Sequence, residues 1–323
     1  GMTNYEYACI NDNYGNDFDP EVIKVANIDI EVGSEDGFPD PELANQPVTA
    51  ITVSCRGRYF VFGVGEFNNT RSDVSYVDCR GERRLLDTFL SFWERIDPDI
   101  VTGWNVDGFD IPYLINRISK IIHPKEAKRL SPARWIKERE FKGNFGKVTK
   151  EYTLVGLTVL DYLQLYKKFT YTQQESYRLD HIATVELGEK KIDYSEVETL
   201  HQLYKTDYQK FIEYNIKDVE LVDKLEDKMR LIEQAMTIAY DAKVNLNDVF
   251  TQVRMWDVLI HNYLYDRKIA IPPKDKHGKD SKFVGAYVKD PQVGLHNWVM
   301  SFDLNSLYPH LIMQYNISSD TFI

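Results

Sequence analysis

Cysteine occurs only three times in the 323 residues, at Cys9, Cys55 and Cys79. The number is odd and no pair has CxxC spacing, which argues against both a disulfide framework and a thiolate metal site. A reducing cytosol is the expected compartment. No run approaches the roughly 18 consecutive apolar residues that span a bilayer. The N-terminal GMTNYEYACIND has neither a basic segment nor an apolar one, so neither secretion nor a membrane partner is expected. Gly1 ahead of Met2 reads as an added residue. Repeats and low-complexity tracts are absent. Positive charge is short as well: a net charge of −11 argues against unselective coating of nucleic acid, which draws its free energy from neutralised phosphates.

What the chain does have is core-forming material. With 43% apolar residues it can build one large domain or two smaller ones. The segments VIKVANIDIEV (22–32), VTAITVSC (48–55) and RYFVFGV (58–64) are rich in β-branched and aromatic residues and read as three successive strands. ERRLLDTFLSFWERI (82–96) puts Leu85, Leu86, Phe89, Leu90, Trp93 and Ile96 on one helical stripe. DIVTGW is then a fourth strand, and a second helix runs from Phe109 to Ile118. KGNFGK (142–147) signals a hairpin, and a long helix is expected from about Asp207 to Ile232. IPPKDKHGKDSK (271–282) reads as a linker and a domain boundary. From Arg117 to Lys150 there are eleven Lys or Arg against three Glu, either a solvated face or a path for a polyanion.

Three acidic elements stand where an α/β sheet collects ligands. Asp29 and Glu31 are i and i+2 in the first strand, so both carboxylates leave the same face. An exposed edge strand would make that unremarkable. In NVDGFDIPYL (105–114), Asp110 lies in the first turn of the helix after the fourth strand, where a carboxylate also serves as an ordinary helix start. Tyr214 and Asp218 are i and i+4 on the long helix, a pattern that says little alone in a chain with 21 tyrosines. If the four carboxylates converge, only cations can separate them. Hard oxygen donors without His or Cys suit Mg²⁺ or Mn²⁺, and two such ions about 4 Å apart form the arrangement that cleaves phosphodiesters.

These residues resemble a known family. Asp29-Ile30-Glu31, Asn105 with Phe109-Asp110, and Tyr214 with Asp218 look like the three motifs of the DEDDy 3′→5′ proofreading exonuclease of family B DNA polymerases. IDIEVGSEDGFP, NVDGFDIPYLINRI, VLDYLQLYKKFTYTQQESYRLDHIA and YNIKDVELVDKLE are similar to segments of the replicative polymerases of T4-like bacteriophages. The resemblance implies an α/β, ribonuclease-H-like exonuclease fold, a mixed β-sheet flanked by helices. It implies an exonuclease domain over 25–232. Residues 1–24 would be a remnant of the N-terminal domain, 233–275 a helical segment completing that domain, with a docked helix over 249–265, and 276–323 a linker and the start of a palm domain.

The resemblance also implies roles. Asp29, Glu31, Asp110 and Asp218 would ligate two divalent cations, Mg²⁺ or Mn²⁺, and Tyr214 would position the attacking water. Asn105, Phe109 and Phe38 would bind DNA, Phe38 by wedging among bases of a frayed 3′ end, and the KGNFGK hairpin lies where the family carries a strand-separating hairpin. SFDLNSLYPHLIMQYNIS (301–318) resembles the first palm motif, in which Asp303 would be a metal ligand and Tyr308 would screen the sugar. The implied activity is removal of single nucleotides from the 3′ end of single-stranded or frayed DNA, without polymerase activity in this stretch of sequence. The chain would be a trimmed polymerase or the product of a split gene whose partner chain supplies the remaining domains. The alternative function is an inactive docking module of such a split polymerase.

Overall fold

The computed structural model describes residues 5–33, 37, 39–142, 148–192, 200–271, 285–318 and 321. The chain divides into two units, Gly1–Pro273 and Lys274–Ile323, and the division falls in the sequence expected to be a linker, of which only Ile271 is described. In chain order the first unit holds α1 (Tyr5–Asn13), β1 (Val25–Val32), β2 (Val48–Cys55), β3 (Arg58–Gly63), β4 (Val74–Asp78), α2 (Glu82–Ile96), β5 (Ile100–Thr102), α3 (Asp110–Ile121) and α4 (Pro124–Ala127). There follow β6 (Ile136–Lys142), β7 (Val148–Leu154), β8 (Thr158–Val159), α5 (Tyr162–Phe169), α6 (Leu179–Leu187), α7 (Leu200–Thr206), α8 (Tyr208–Met229), α9 (Leu231–Ala242) and α10 (Gln252–Asp266).

Six strands form one mixed sheet in the order β4-β3-β2-β1-β5-β8, flanked by helices. The first three strands make an antiparallel meander, while β1–β5, β5–β8 and β3–β4 are parallel pairs. β1 therefore has β2 on one side along its length and β5 on the other over Val25–Asn27. Its two faces part by the two-residue period of a strand. Ala26, Ile28 and Ile30 enter a core shared with Leu85, Phe89 and Trp93 of α2 and Ile111, Leu114 and Ile118 of α3. Each fully buried Ile, Leu or Phe among them is worth about 1.5–3 kcal/mol. Asn27, Asp29 and Glu31 go to the other face, toward α8.

α8 is registered on that face by a polar seam. The Asn27 amide donates to the Val219 carbonyl at 2.9 Å and to Asp223 Oδ1 at 2.7 Å, and the Ser54 hydroxyl donates to the same carboxylate oxygen at 2.9 Å. The long helix is shorter than its periodicity suggests. It ends at Met229, where Arg230 takes a left-handed conformation at φ 52° and the chain turns into α9. No Gly or Pro marks that break, so apolar spacing ran on across it. β4 and β8, five and two residues long, were too short to carry a strand pattern.

α1, α9 and α10 share a second core with α5, α6 and the last turns of α8. Tyr7 of α1 donates to Asp248 at 2.9 Å, and Val258 anchors α10. Much of the basic stretch between 117 and 150 is spent on the fold. Arg117 is buried and clamps Glu82 through Nε at 2.6 Å and Nη2 at 2.7 Å, and Arg129 pairs with Glu94 at 2.6 Å. β6 and β7 pair from Ile136↔Leu154 to Lys142↔Val148; the turn between them, 143–147, lies outside the described residues. In the second unit, α11 (Leu307–Tyr315) has no buried residue. No helix among the described residues is long and apolar enough to cross a membrane.

Gly103 follows β5, and a Cβ there would collide with the Ile28 carbonyl oxygen. Only glycine lets the chain leave the sheet this close to β1. Gly103→Ala is expected to destabilise the fold by about 1–3 kcal/mol, as overpacking does, read as a lower urea midpoint; an unchanged midpoint would refute the close approach.

Candidate active site

Asp29 and Glu31 rise together from β1, and Tyr214 and Asp218 descend from one face of α8. The ligand oxygens of Asp29, Glu31 and Asp218 lie within 4.8 Å of one another. Although β1 has no strand neighbour on one side beyond Asn27, this part of it is not exposed: Glu31 is 9% exposed and Asp29 is half-buried. Asp110 is the fourth carboxylate and stands apart from that tight trio. β5 stops opposite Asn27, so the farther part of β1 has no strand on that side. Asp110 Oδ1 accepts the Ile30 N–H there at 3.0 Å. The carboxylate thus fastens α3 to β1 and still faces Asp29 closely enough to feel its charge.

Two site residues escaped the sequence reading. The Lys191 ammonium pairs with Asp218 Oδ2 and donates to the Tyr214 hydroxyl at 3.0 Å. Asn215, fully buried, donates to Asp29 Oδ2 at 2.6 Å, and the Thr52 hydroxyl donates to its amide oxygen. That second bond fixes which end of the amide meets Asp29. Nothing in the doublet Lys190-Lys191 distinguishes a site lysine from a solvated one. Asn215 sits beside Tyr214, but only the strand register shows that it reaches Asp29.

Burial raises every carboxyl of the cluster, and a neighbouring carboxylate adds to it at Asp29, Glu31 and Asp110. Asp29 is pushed up to about 8 by desolvation and then by Asp218, against the opposing pull of Lys191 and Asn215. Glu31 and Asp110 are raised well above the usual range by burial and then by Asp29. Asp218 is raised by burial although Lys191 pulls it down. Burial alone would lower Lys191; Asp218 and Tyr214 outweigh it and hold the ammonium charged. Burial and Asp218 keep the Tyr214 phenol protonated.

The cluster opens on a cleft of about 1270 Å³, whose lining includes Trp104, Asn105, Phe109, Tyr177, Arg178 and Lys190. Asn105 has the left-handed backbone that asparagine tolerates, φ 65°, and Phe109 stacks at a tilt on Tyr113, ring centroids 5.5 Å apart. Phe38 lies outside the described residues. Asp303 and Tyr308 belong to the second unit, where both are exposed and Tyr308 lies in the first turn of α11. The trio suits a hard cation by donor chemistry. Its ligands are all oxygen, and Asp218 Oδ1 is buried without a hydrogen-bond partner, a bare anionic atom that a divalent ion would satisfy.

Residues 2–182 match the DNA polymerase family B exonuclease domain, and residues 244–323 match DNA polymerase family B. The chain is 37% identical to the DNA-directed DNA polymerase of Escherichia phage RB69 and 35% identical to that of Enterobacteria phage T4, in each case over 99% of this chain and 38% of the relative. It is 27% identical to the DNA polymerase delta catalytic subunit of Dictyostelium discoideum over 95% of this chain and 29% of that protein. The chain thus spans 38% of the length of either phage protein.

The raised carboxyl of Asp29 ties stability to pH. An unfolded chain releases that proton near pH 4, whereas the folded chain keeps it to about 8. Between those values the folded state binds the extra proton, so stability in EDTA falls as pH rises. Melting temperatures in EDTA are expected to be lower at pH 8 than at pH 6, and Asp29→Asn to weaken a trend to which Glu31, Asp110 and Asp218 contribute in the same sense. Saturating Mn²⁺, which takes the proton's place, narrows the difference. A melting temperature in EDTA that climbs across this window would contradict the assignment.

Proposed function

Because the chain belongs to DNA polymerase family B and carries its exonuclease domain, we propose that it removes nucleotides one at a time from the 3′ end of DNA by hydrolysing the terminal phosphodiester. The observation that carries this reading is the meeting of Asp29, Glu31 and Asp218 within 4.8 Å at the floor of a cleft, with Asp110 alongside. The cleft is larger than the roughly 300–1,000 Å³ of small-molecule pockets, which favours a stretch of polymer over a single metabolite.

Asp29, Glu31, Asp110 and Asp218 would hold two divalent cations, Mg²⁺ or Mn²⁺. Such ions, when bound, lower the pKa of an attacking water and stabilise the departing 3′ oxygen. The chain's own groups orient the rest. Tyr214, held as a neutral phenol, can donate or accept at the water. Lys191 offsets the carboxylate charge and can move toward a phosphate once Asp218 is otherwise engaged. Asn105 and Phe109 would steady the last nucleotides, with Phe38 as the wedge. A single strand would be preferred, because a paired terminus must open before its end reaches a floor this deep. The role of Asp303 and Tyr308 in nucleotide addition rests on the family match at 244–323 alone.

The test uses a 5′-labelled oligonucleotide with Mg²⁺ or Mn²⁺. Stepwise shortening is expected from the wild-type chain and a loss of at least about 100-fold in Asp110→Ala, the order seen when a transition-state-stabilising group is removed. Intact substrate in both would favour a docking module instead. On a duplex, a mispaired 3′ end should be shortened faster than a matched one; equal rates would count against delivery of a splayed end.

A further inference from the structure

Asp161 caps α5, and its carboxylate reaches well beyond the helix. Oδ1 accepts the N–H groups of Leu163 at 2.9 Å and Gln164 at 3.3 Å, the ordinary work of a cap. The same oxygen accepts the Asn105 N–H at 3.3 Å, and Oδ2 accepts the Asp107 N–H at 3.0 Å. Asp161 is 3% exposed, so water does not substitute for these bonds and a buried N–H left unmet is costly.

The turn so held is the one that carries Asn105 and Phe109 into the cleft wall. Its backbone is left-handed at Asn105, and Phe109, at the start of α3, offers no side-chain cap. The turn is therefore fastened at two points. Asp161 holds its first half, and the Asp110 bond to the Ile30 N–H holds its end.

We propose that Asp161 is a positioning residue for the DNA strand: through the turn it sets where Asn105 and Phe109 meet the substrate. This rests on the exonuclease reading. Because Asp110 has its own tether, loosening the first half of the turn disturbs binding more than chemistry.

Asp161→Asn separates this role from capping. Asparagine caps helices as well as aspartate, so its amide oxygen keeps the Oδ1 bonds. Its NH₂ then stands where Oδ2 stood and faces the Asp107 N–H, donor against donor. Flipping the amide would sacrifice three bonds to keep one. The helix is spared, and of the two bonds to the turn the one to Asp107 is lost.

The experiment has two readouts on the full chain. With Mg²⁺, Asp161→Asn is expected to raise KM for a single-stranded oligonucleotide about tenfold while kcat stays within about threefold. In EDTA, fluorescence anisotropy of the same labelled oligonucleotide should show Kd raised by a similar factor, without any need for cleavage. Asp161→Ser, a good cap too short to reach Asp107, should repeat the split, and either change should matter less in an Asn105→Ala background. Unchanged KM and Kd in an active enzyme overturn the proposal and leave Asp161 a helix cap. Matched losses of kcat and melting temperature in both variants overturn it too. A chain that binds but never cuts sinks the exonuclease reading instead, and one that does not bind the strand sinks both.

Discussion

Carboxylates brought together out of water repel one another, and this repulsion organises the whole site. Three acidic side chains meet within 4.8 Å, and a fourth, Asp110, lies near enough to raise and be raised by its neighbours. The fold answers with partial compensation. The Lys191 ammonium takes one oxygen of Asp218, Asn215 takes one of Asp29, and the Ile30 N–H takes one of Asp110. Each partner occupies one oxygen and leaves the carboxylate able to bind elsewhere. Asp218 Oδ1, buried and without a hydrogen bond, shows that the compensation is incomplete.

Such repulsion persists only if the backbone resists it. Ile28 and Ile30 lock β1 into a fully packed core on the opposite face, so the strand cannot roll to turn Asp29 and Glu31 apart. On the near face, α8 is pinned below the acidic pair by Asn27, Ser54 and Asp223. The same polar seam sets how far along the strand Tyr214 and Asp218 fall. Stability elsewhere in the sheet is thus spent on holding like charges together, the usual relation between a scaffold and a strained functional site.

Much of this was legible in the sequence, for definable reasons. β2 was read with its observed bounds, since eight β-branched or small residues, nearly all buried, end at a two-residue turn. α2 announced itself by its apolar stripe, all but Ile96 of it buried. Strand and helix periods put Asp29 with Glu31 and Tyr214 with Asp218 on shared faces, but only the resemblance to the family's motifs implied that the two pairs meet. Other features depend on tertiary pairing and leave no local pattern. Arg230 breaks a helix whose apolar spacing continues, β8 is too short to have a period, and Lys191 meets Asp218 only because the chain after α6 folds back. Asp110 could be read as helix start or ligand, and its bond to Ile30 belongs to neither expectation alone: it braces the strand that bears the other acids.

The central claim is that these carboxylates form a cation nest, with Asp29 common to the bound ions. It is tested most directly by a crystal structure of the chain soaked in Mn²⁺ and recorded at the manganese absorption edge. The account predicts two anomalous peaks touching Asp29, one shared with Asp218, and Lys191 displaced from Asp218. Density without manganese among these side chains, Lys191 still paired with Asp218 at saturating Mn²⁺, would contradict it.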